Sequence, residues 1–151
     1  MDDAEKEMRA NLTPLPPEWS DLTHRVIGCA MEVHSALGPG MIEEIYEHAM
    51  IYELTQAGIP FQSQASFRVP YKGLLLPEQR LDFWIADLLV LELNALEKVP
   101  DFHLAKMVGY MRIADAPLGL LINFNVLSLK DGIFRRLNPR ATSLRRLAGV
   151  S

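Results

Sequence analysis

The chain has 151 residues, 49% of them hydrophobic and 23% charged, the size and make-up of one globular domain able to bury about 70% of its unfolded surface. Its net charge of −4 argues against a protein that coats nucleic acid, and no apolar run reaches the ~18 residues that span a bilayer. The acidic start MDDAEKEMRA reads as neither a secretory nor a transit leader, so the expected compartment is the cytoplasm.

Residues 1–20 read as a flexible arm, because Thr13-Pro14-Leu15-Pro16-Pro17 forbids helix and favours extended backbone. Helical periodicity starts near Asp21, where Leu22, Val26, Ala30, Val33 and Leu37 recur every three or four residues. Gly38-Pro39-Gly40 stops that helix. A second helix is expected from Met41 to Ala57, with Ile42, Ile45, Ala49 and Tyr52 inward. The lone Cys29 has no partner within the chain and reads as a buried thiol.

Strand signals follow at Gln64–Tyr71, then a Lys72-Gly73 turn into Leu74–Leu76, then Arg80–Ala86 and Leu88–Ala95. Phe102–Ala114 is apolar on most sides and is expected to be a largely buried helix. Leu118–Val126 is a continuous apolar run of strand length, and Asp131-Gly132 predicts a hairpin between Val126–Leu129 and Ile133–Leu137. The order α-α-β-β-β-β-α-β-β predicts an α/β domain over residues 21–138. Leu88–Ala95, the helix and Leu118–Val126 form its parallel crossover, and helices flank a mixed sheet.

The charge is unevenly spread. Residues 1–100 hold 16 acids and 7 bases (7 − 16 = −9), whereas residues 101–151 hold 3 and 8 (8 − 3 = +5). Arg135, Arg136, Arg140, Arg145 and Arg146 concentrate that excess; residues 139–151 read as a basic tail that either holds phosphates or is merely solvated.

Leu88, Val90, Glu92 and Asn94 share one face of their strand, so an acid stands in an otherwise apolar setting. A hairpin pivoting on Asp87 pairs residues whose numbers sum to 174, which sets Asp82 opposite Glu92. Like charges at that spacing are destabilising. A bound cation or a raised pKa relieves them, and carboxylates converging from adjacent strands are a usual way of holding Mg²⁺. The bland alternative is an Asp82 at a strand edge, paired with Arg80 or Arg68.

Gly40-Met41-Ile42-Glu43-Glu44-Ile45-Tyr46 carries a G-x-x-E-x-x-Y signature. Around it stand Val33-His34, Leu37-Gly38-Pro39-Gly40, Tyr71-Lys72-Gly73, Arg80-Leu81-Asp82, Glu92-Leu93, His103, Tyr110 and Gly119–Phe124. In order and spacing, from about Asp21 to Leu137, this set resembles the GxxExxY family of the PD-(D/E)XK nuclease superfamily. The resemblance implies a restriction-endonuclease-like core and a Mg²⁺- or Mn²⁺-dependent nuclease acting on nucleic acid, with DNA the expected form. It implies Glu43 as the helical acid, Asp82 and Glu92 as metal-binding acids, and Tyr110 as the tyrosine of a QxxxY element. In such enzymes a lysine two residues past the glutamate steadies the nucleophile.

Two positions depart from that pattern. Asn94 stands where the lysine belongs, and Lys106 stands where the glutamine of QxxxY belongs. Losing one preorganised charge-stabilising group costs ~10²–10³ in rate. His103, Lys106 and Tyr110 are spaced i, i+3, i+7, so Lys106 either compensates from the helix or snorkels to solvent. Two functional readings therefore stand: an active nuclease, or a silent module of the same fold that binds nucleic acid or a protein partner. Homo-oligomerisation is left open. His34 and Trp84 read first as structural residues, and Asn123 reads equally as a partner for a site group or as the cap of a buried strand end.

Overall fold

The computed structural model describes residues 15–149. Helix α1 (Pro17–Leu37) opens with proline at a position where a missing N–H costs nothing. It starts four residues before the periodicity places it, because Trp19 extends the buried stripe of Leu22, Val26, Ala30 and Val33. Residues 17–20 thus belong to the helix rather than to the expected arm, and residues 1–14 of that arm lie outside the described residues. Gly38 ends the helix at φ 66°, its N–H donating to His34 O at 2.8 Å.

Helix α2 (Glu43–Gln56) buries Tyr46, Met50 and Leu54. The expected inward residues Ile42, Ile45 and Tyr52 are instead 64%, 41% and 61% exposed. Apolar residues are spread around this helix, so periodicity could not choose a face. Tyr46 chooses it. Its hydroxyl donates to Gly38 O at 2.6 Å and accepts from Met41 N–H at 3.1 Å, and its ring stacks on Phe124 at 4.5 Å.

Among the described residues, five strands lie in the order β1-β2-β3-β4-β5. Strands β1 (Phe61–Tyr71) and β2 (Leu74–Ile85) are joined by Lys72 and Gly73 at φ 49° and 81°, the doubly positive turn that tight hairpins favour. The two short strands expected at 74–76 and 80–86 are one strand, since Pro77 lies where β2 pairs with β1 alone. Against β3 (Leu89–Asn94), β2 pairs Phe83↔Leu91, Trp84↔Val90 and Ile85↔Leu89, the register that sums to 174. Helix α3 (Asp101–Ile113) carries the chain to β4 (Leu118–Asn123), parallel to β3 and buried at every residue.

Helix α3 is less covered than its composition suggests. Met107, Tyr110 and Met111 are buried while Phe102 is 71% exposed, so one face alone meets the sheet. The expected Asp131-Gly132 hairpin does not form: β4 ends at Asn123, and a 3₁₀ turn (Leu129–Gly132) leads into β5 (Ile133–Leu137). Asn123 ends β4 by turning its side chain onto Leu96 N–H and Leu96 O, at 2.9 and 2.8 Å. A short α4 (Thr142–Leu147) buries Leu144, so the expected basic tail packs in part against the core.

Helices α1, α2 and α4 share one core with Phe83, Ile85, Leu91, Leu93 and Leu120. Helix α3 covers the other face over Leu81, Trp84, Val90 and Leu121. Cys29 is buried, and burial pushes its thiol up. No helix among the described residues is long and apolar enough to cross a membrane.

Two glycines mark close approaches. A Cβ on Gly132 would lie 2.1 Å from the backbone oxygen of Asn123, whereas one on Gly119 would meet the flexible Met111 Sδ at 2.4 Å. Gly132→Ala is therefore expected to destabilise by about 1–3 kcal/mol, and Gly119→Ala by less. Thermal melts of the two variants check the ranking; equal losses would contradict it.

Candidate active site

The site is built where the sheet's regular pairing stops. The β1–β2 register runs Ser63↔Phe83 and Ala65↔Leu81, skipping Gln64 and Asp82, and Gln64 adopts φ 50°. That backbone costs on the order of 1 kcal/mol in a residue other than glycine. Side-chain alternation breaks at the same point. Phe83 and Ile85 face the α1/α2 core, yet both Leu81 and Trp84 face α3. The Asp82 carboxylate is thereby free to reach across to β3, where its Oδ2 accepts the Leu93 N–H at 2.9 Å. In return Glu92 Oε1 accepts the Asp82 N–H at 3.2 Å. Two carboxylates replace the next rung of the β2–β3 ladder.

The pair is electrostatically unfavourable, as its spacing predicted. Burial, then the Asp82 charge and a hydrogen bond with the Asp82 carboxyl, push Glu92 up to about 9. Glu43, the first residue of α2, is raised by burial, by Asp82 and by Glu47. Lys106 opposes both shifts.

All five sequence-predicted residues, Glu43, Asp82, Glu92, Lys106 and Tyr110, line one cleft of about 350 Å³. Lys106 points into it rather than away: its Nζ lies 5.9 Å over the Tyr110 ring, without a direct ion pair among the described residues. Asn94 is buried and its Nδ2 lies 3.3 Å from Nδ1 of His103, so an amide–imidazole pair fills the place of the tripeptide lysine. Three further lining residues, Gln79, Arg80 and His103, were not among the predicted site residues. The i, i+3, i+7 spacing signalled His103. Nothing signalled Gln79, whose Nε2 donates to Tyr110 Oη at 3.3 Å. A regular period of two puts Gln79 and Asp82 on opposite faces, and only the break at Asp82 unites them.

The discounted residues are structural. His34 Nε2 lies 2.8 Å from Val126 O, and Trp84 packs edge-on to Phe67 and donates to Asp87 Oδ1 at 3.1 Å. Arg135 and Arg136 line a separate groove of about 1070 Å³ with Trp19, Leu89 and Leu118. Leu89 and Leu118 begin β3 and β4, so that groove lies at the end of the sheet away from the acids.

The donor set suits a hard cation. Asp82 and Glu92 are oxygen donors, each with one oxygen accepting from a backbone amide. Mg²⁺ is commonly held by one or two carboxylates with water and substrate oxygens. Among the described residues no three His, Cys, Asp or Glu side chains stand close enough to form a metal-holding group, so Glu43 is set apart from the close pair.

A mixed sheet with hairpin acids at the carboxyl end of a parallel strand, faced by a helix bearing lysine and tyrosine, defines a nuclease-like α/β core. The chain matches the PD-(D/E)XK nuclease superfamily over residues 20–137, well over half its length, and belongs to it. Neither a curated protein nor a solved structure matches it significantly.

The raised Glu92 makes stability pH-dependent. The folded protein keeps this proton up to about 9, while the unfolded chain loses it above its ordinary value of 4.5. Between those values the native state binds the extra proton, so in chelator the melting temperature should fall as pH rises through this window. Glu92→Gln should flatten the decline; an identical slope in the variant would place the titration elsewhere.

Proposed function

We propose that the protein is a divalent-metal-dependent nuclease of the GxxExxY type, hydrolysing phosphodiesters in DNA, with Lys106 acting in place of the absent tripeptide lysine. The observation that carries this reading is the position of Lys106, inside the acid cleft and close enough for its charge to pull down both Glu43 and Glu92. Mg²⁺ or Mn²⁺ held by Asp82 and Glu92, with Glu43 at the rim, would supply an activated water and neutralise developing charge. The chain's own groups supply the rest. The Lys106 ammonium, in the same cleft, would meet a phosphate oxygen or the attacking water. Tyr110, hydrogen-bonded to Gln79, fixes the wall against which Lys106 lies. Asn94 contributes no charge; it orients His103.

Metal binding is tested by calorimetric titration of Mg²⁺ or Mn²⁺ into wild type and Asp82→Ala. Heat in the first and none in the second is expected, and negligible heat in both would remove the metal.

Lys106→Ala should abolish Mn²⁺-dependent nicking of plasmid DNA, with metal binding and melting temperature nearly unchanged. The double variant Asn94→Lys with Lys106→Gln restores the superfamily pattern and should cut at least as well as wild type. Cutting by the double variant alone would identify a silenced nuclease that binds through the same cleft. No cutting of single-stranded, double-stranded or RNA substrates by either protein would end the hydrolase reading.

A further inference from the structure

Beyond Asp82 the first two strands leave the sheet. Strand β3 pairs with β2 only at residues 83–85, so residues 65–81 form a two-stranded ribbon that no third strand supports. At ~3.3 Å per residue it extends roughly 25 Å from the carboxylate cleft at its root. Gln79 ties its base to α3 through Tyr110, and Phe67 packs edge-on to Trp84 of β2 within the core that α3 covers. The other face, with Ser66, Arg68, Glu78 and Arg80, is exposed. At the tip Tyr71, Leu74 and Leu75 are 52%, 60% and 63% exposed.

Three features set the ribbon apart from its surroundings. Residues 65–80 carry three bases (Arg68, Lys72, Arg80) and one acid (Glu78), a balance of +2. The remainder of residues 1–100 carries 4 bases (7 − 3) and 15 acids (16 − 1), so this is a basic arm on an acidic body. The tip is also braced: Arg68 donates to Leu75 O at 2.8 Å and Leu76 O at 3.2 Å, and Lys72 Nζ lies 5.4 Å over the Tyr71 ring. Finally, Pro70 and Pro77 each remove a backbone donor, which disfavours strand addition by a second copy. An exposed apolar tip on a lone ribbon contributes little to folding, since two strands alone are marginal in water.

A two-stranded ribbon fits the major groove of B-form DNA, about 12 Å wide. It does not fit the deep, narrow major groove of A-form RNA. We infer that the β1–β2 ribbon is a duplex-DNA-holding arm, its basic groups against phosphates and its Tyr71/Leu74/Leu75 tip against base edges, with the acid cleft at its root meeting the strand backbone. The inference rests on the phosphodiester reading above and names the form of the substrate.

Fluorescence anisotropy in chelator tests it, since holding needs no cutting. Wild type should bind a labelled duplex DNA more tightly than the same sequence as single strand or duplex RNA. Tyr71→Ser/Leu74→Ser/Leu75→Ser should weaken duplex binding at least about tenfold, while keeping the wild-type melting temperature and metal-binding heat. Lys72→Asn, tolerable at positive φ, should reduce the slope of log affinity against log salt by about 1. Equal affinity for all three nucleic acids, or unchanged duplex binding by the tip variant, overturns the inference. So does a wild-type dimer that the tip changes dissolve in sedimentation, or binding that Arg135→Ala/Arg136→Ala removes and the tip changes spare. Duplex held through the ribbon but never cut sustains the arm and sinks the hydrolase; cutting with a tip variant that binds normally does the reverse.

Discussion

The reciprocal bonding of Asp82 and Glu92 to each other's strands is the constraint on which the site depends. An antiparallel ladder ordinarily continues by exchanging backbone N–H and C=O groups. Here Leu93 N–H goes to the Asp82 carboxylate and Asp82 N–H to Glu92. These bonds satisfy buried donors that would otherwise be costly, and they hold both acids at the carboxyl end of β3. That is where ligands meet open α/β sheets. The cost appears in the same few residues, as a left-handed Gln64 and a Glu92 raised to about 9. Backbone strain and a raised carboxyl are thus concentrated in one place.

Around this pair the G-x-x-E-x-x-Y segment works as a mechanical lock. Gly40 at φ 99° lets the chain reverse after α1, and Glu43 becomes the first residue of the next helix. One turn later Tyr46 bonds back to Gly38 and Met41 and stacks on Phe124, just past the end of β4. The tyrosine does not line the cleft. Its role is to fix the helix end that carries Glu43 into the site, so a packing residue and a site residue share one signature.

Much of this was legible, for identifiable reasons. The Asp87 pivot set the β2–β3 register, because a turn of three residues, 86–88, leaves little slack, and the apolar run 118–126 holds the buried central strand. Periodicity failed wherever apolar residues were spread all round, as in α2, or where solvent takes a large apolar side chain, as at Phe102. The expected Asp131-Gly132 hairpin did not form because Gly132 was needed elsewhere: only a residue without a side chain passes the Asn123 carbonyl there. Gln79 was invisible for a deeper reason, since its place in the cleft depends on a pleat break set by the backbone of another strand.

The exchange of lysine between positions 94 and 106 has an electrostatic logic. A lysine at 94 would rise from a buried strand position, beside the carboxylate two residues before it, and would have to be desolvated there. Asn94 avoids that cost and can be buried, with its amide engaged by His103. Lys106 approaches the same acids from α3 as an exposed residue, its ammonium over the Tyr110 ring, so its charge is not taken out of water as that of a lysine at 94 would be. On the function proposed above, the charge would be kept and only its route changed. A cation carried on the helix leaves the buried strand position to an uncharged side chain, beside the close Asp82–Glu92 pair.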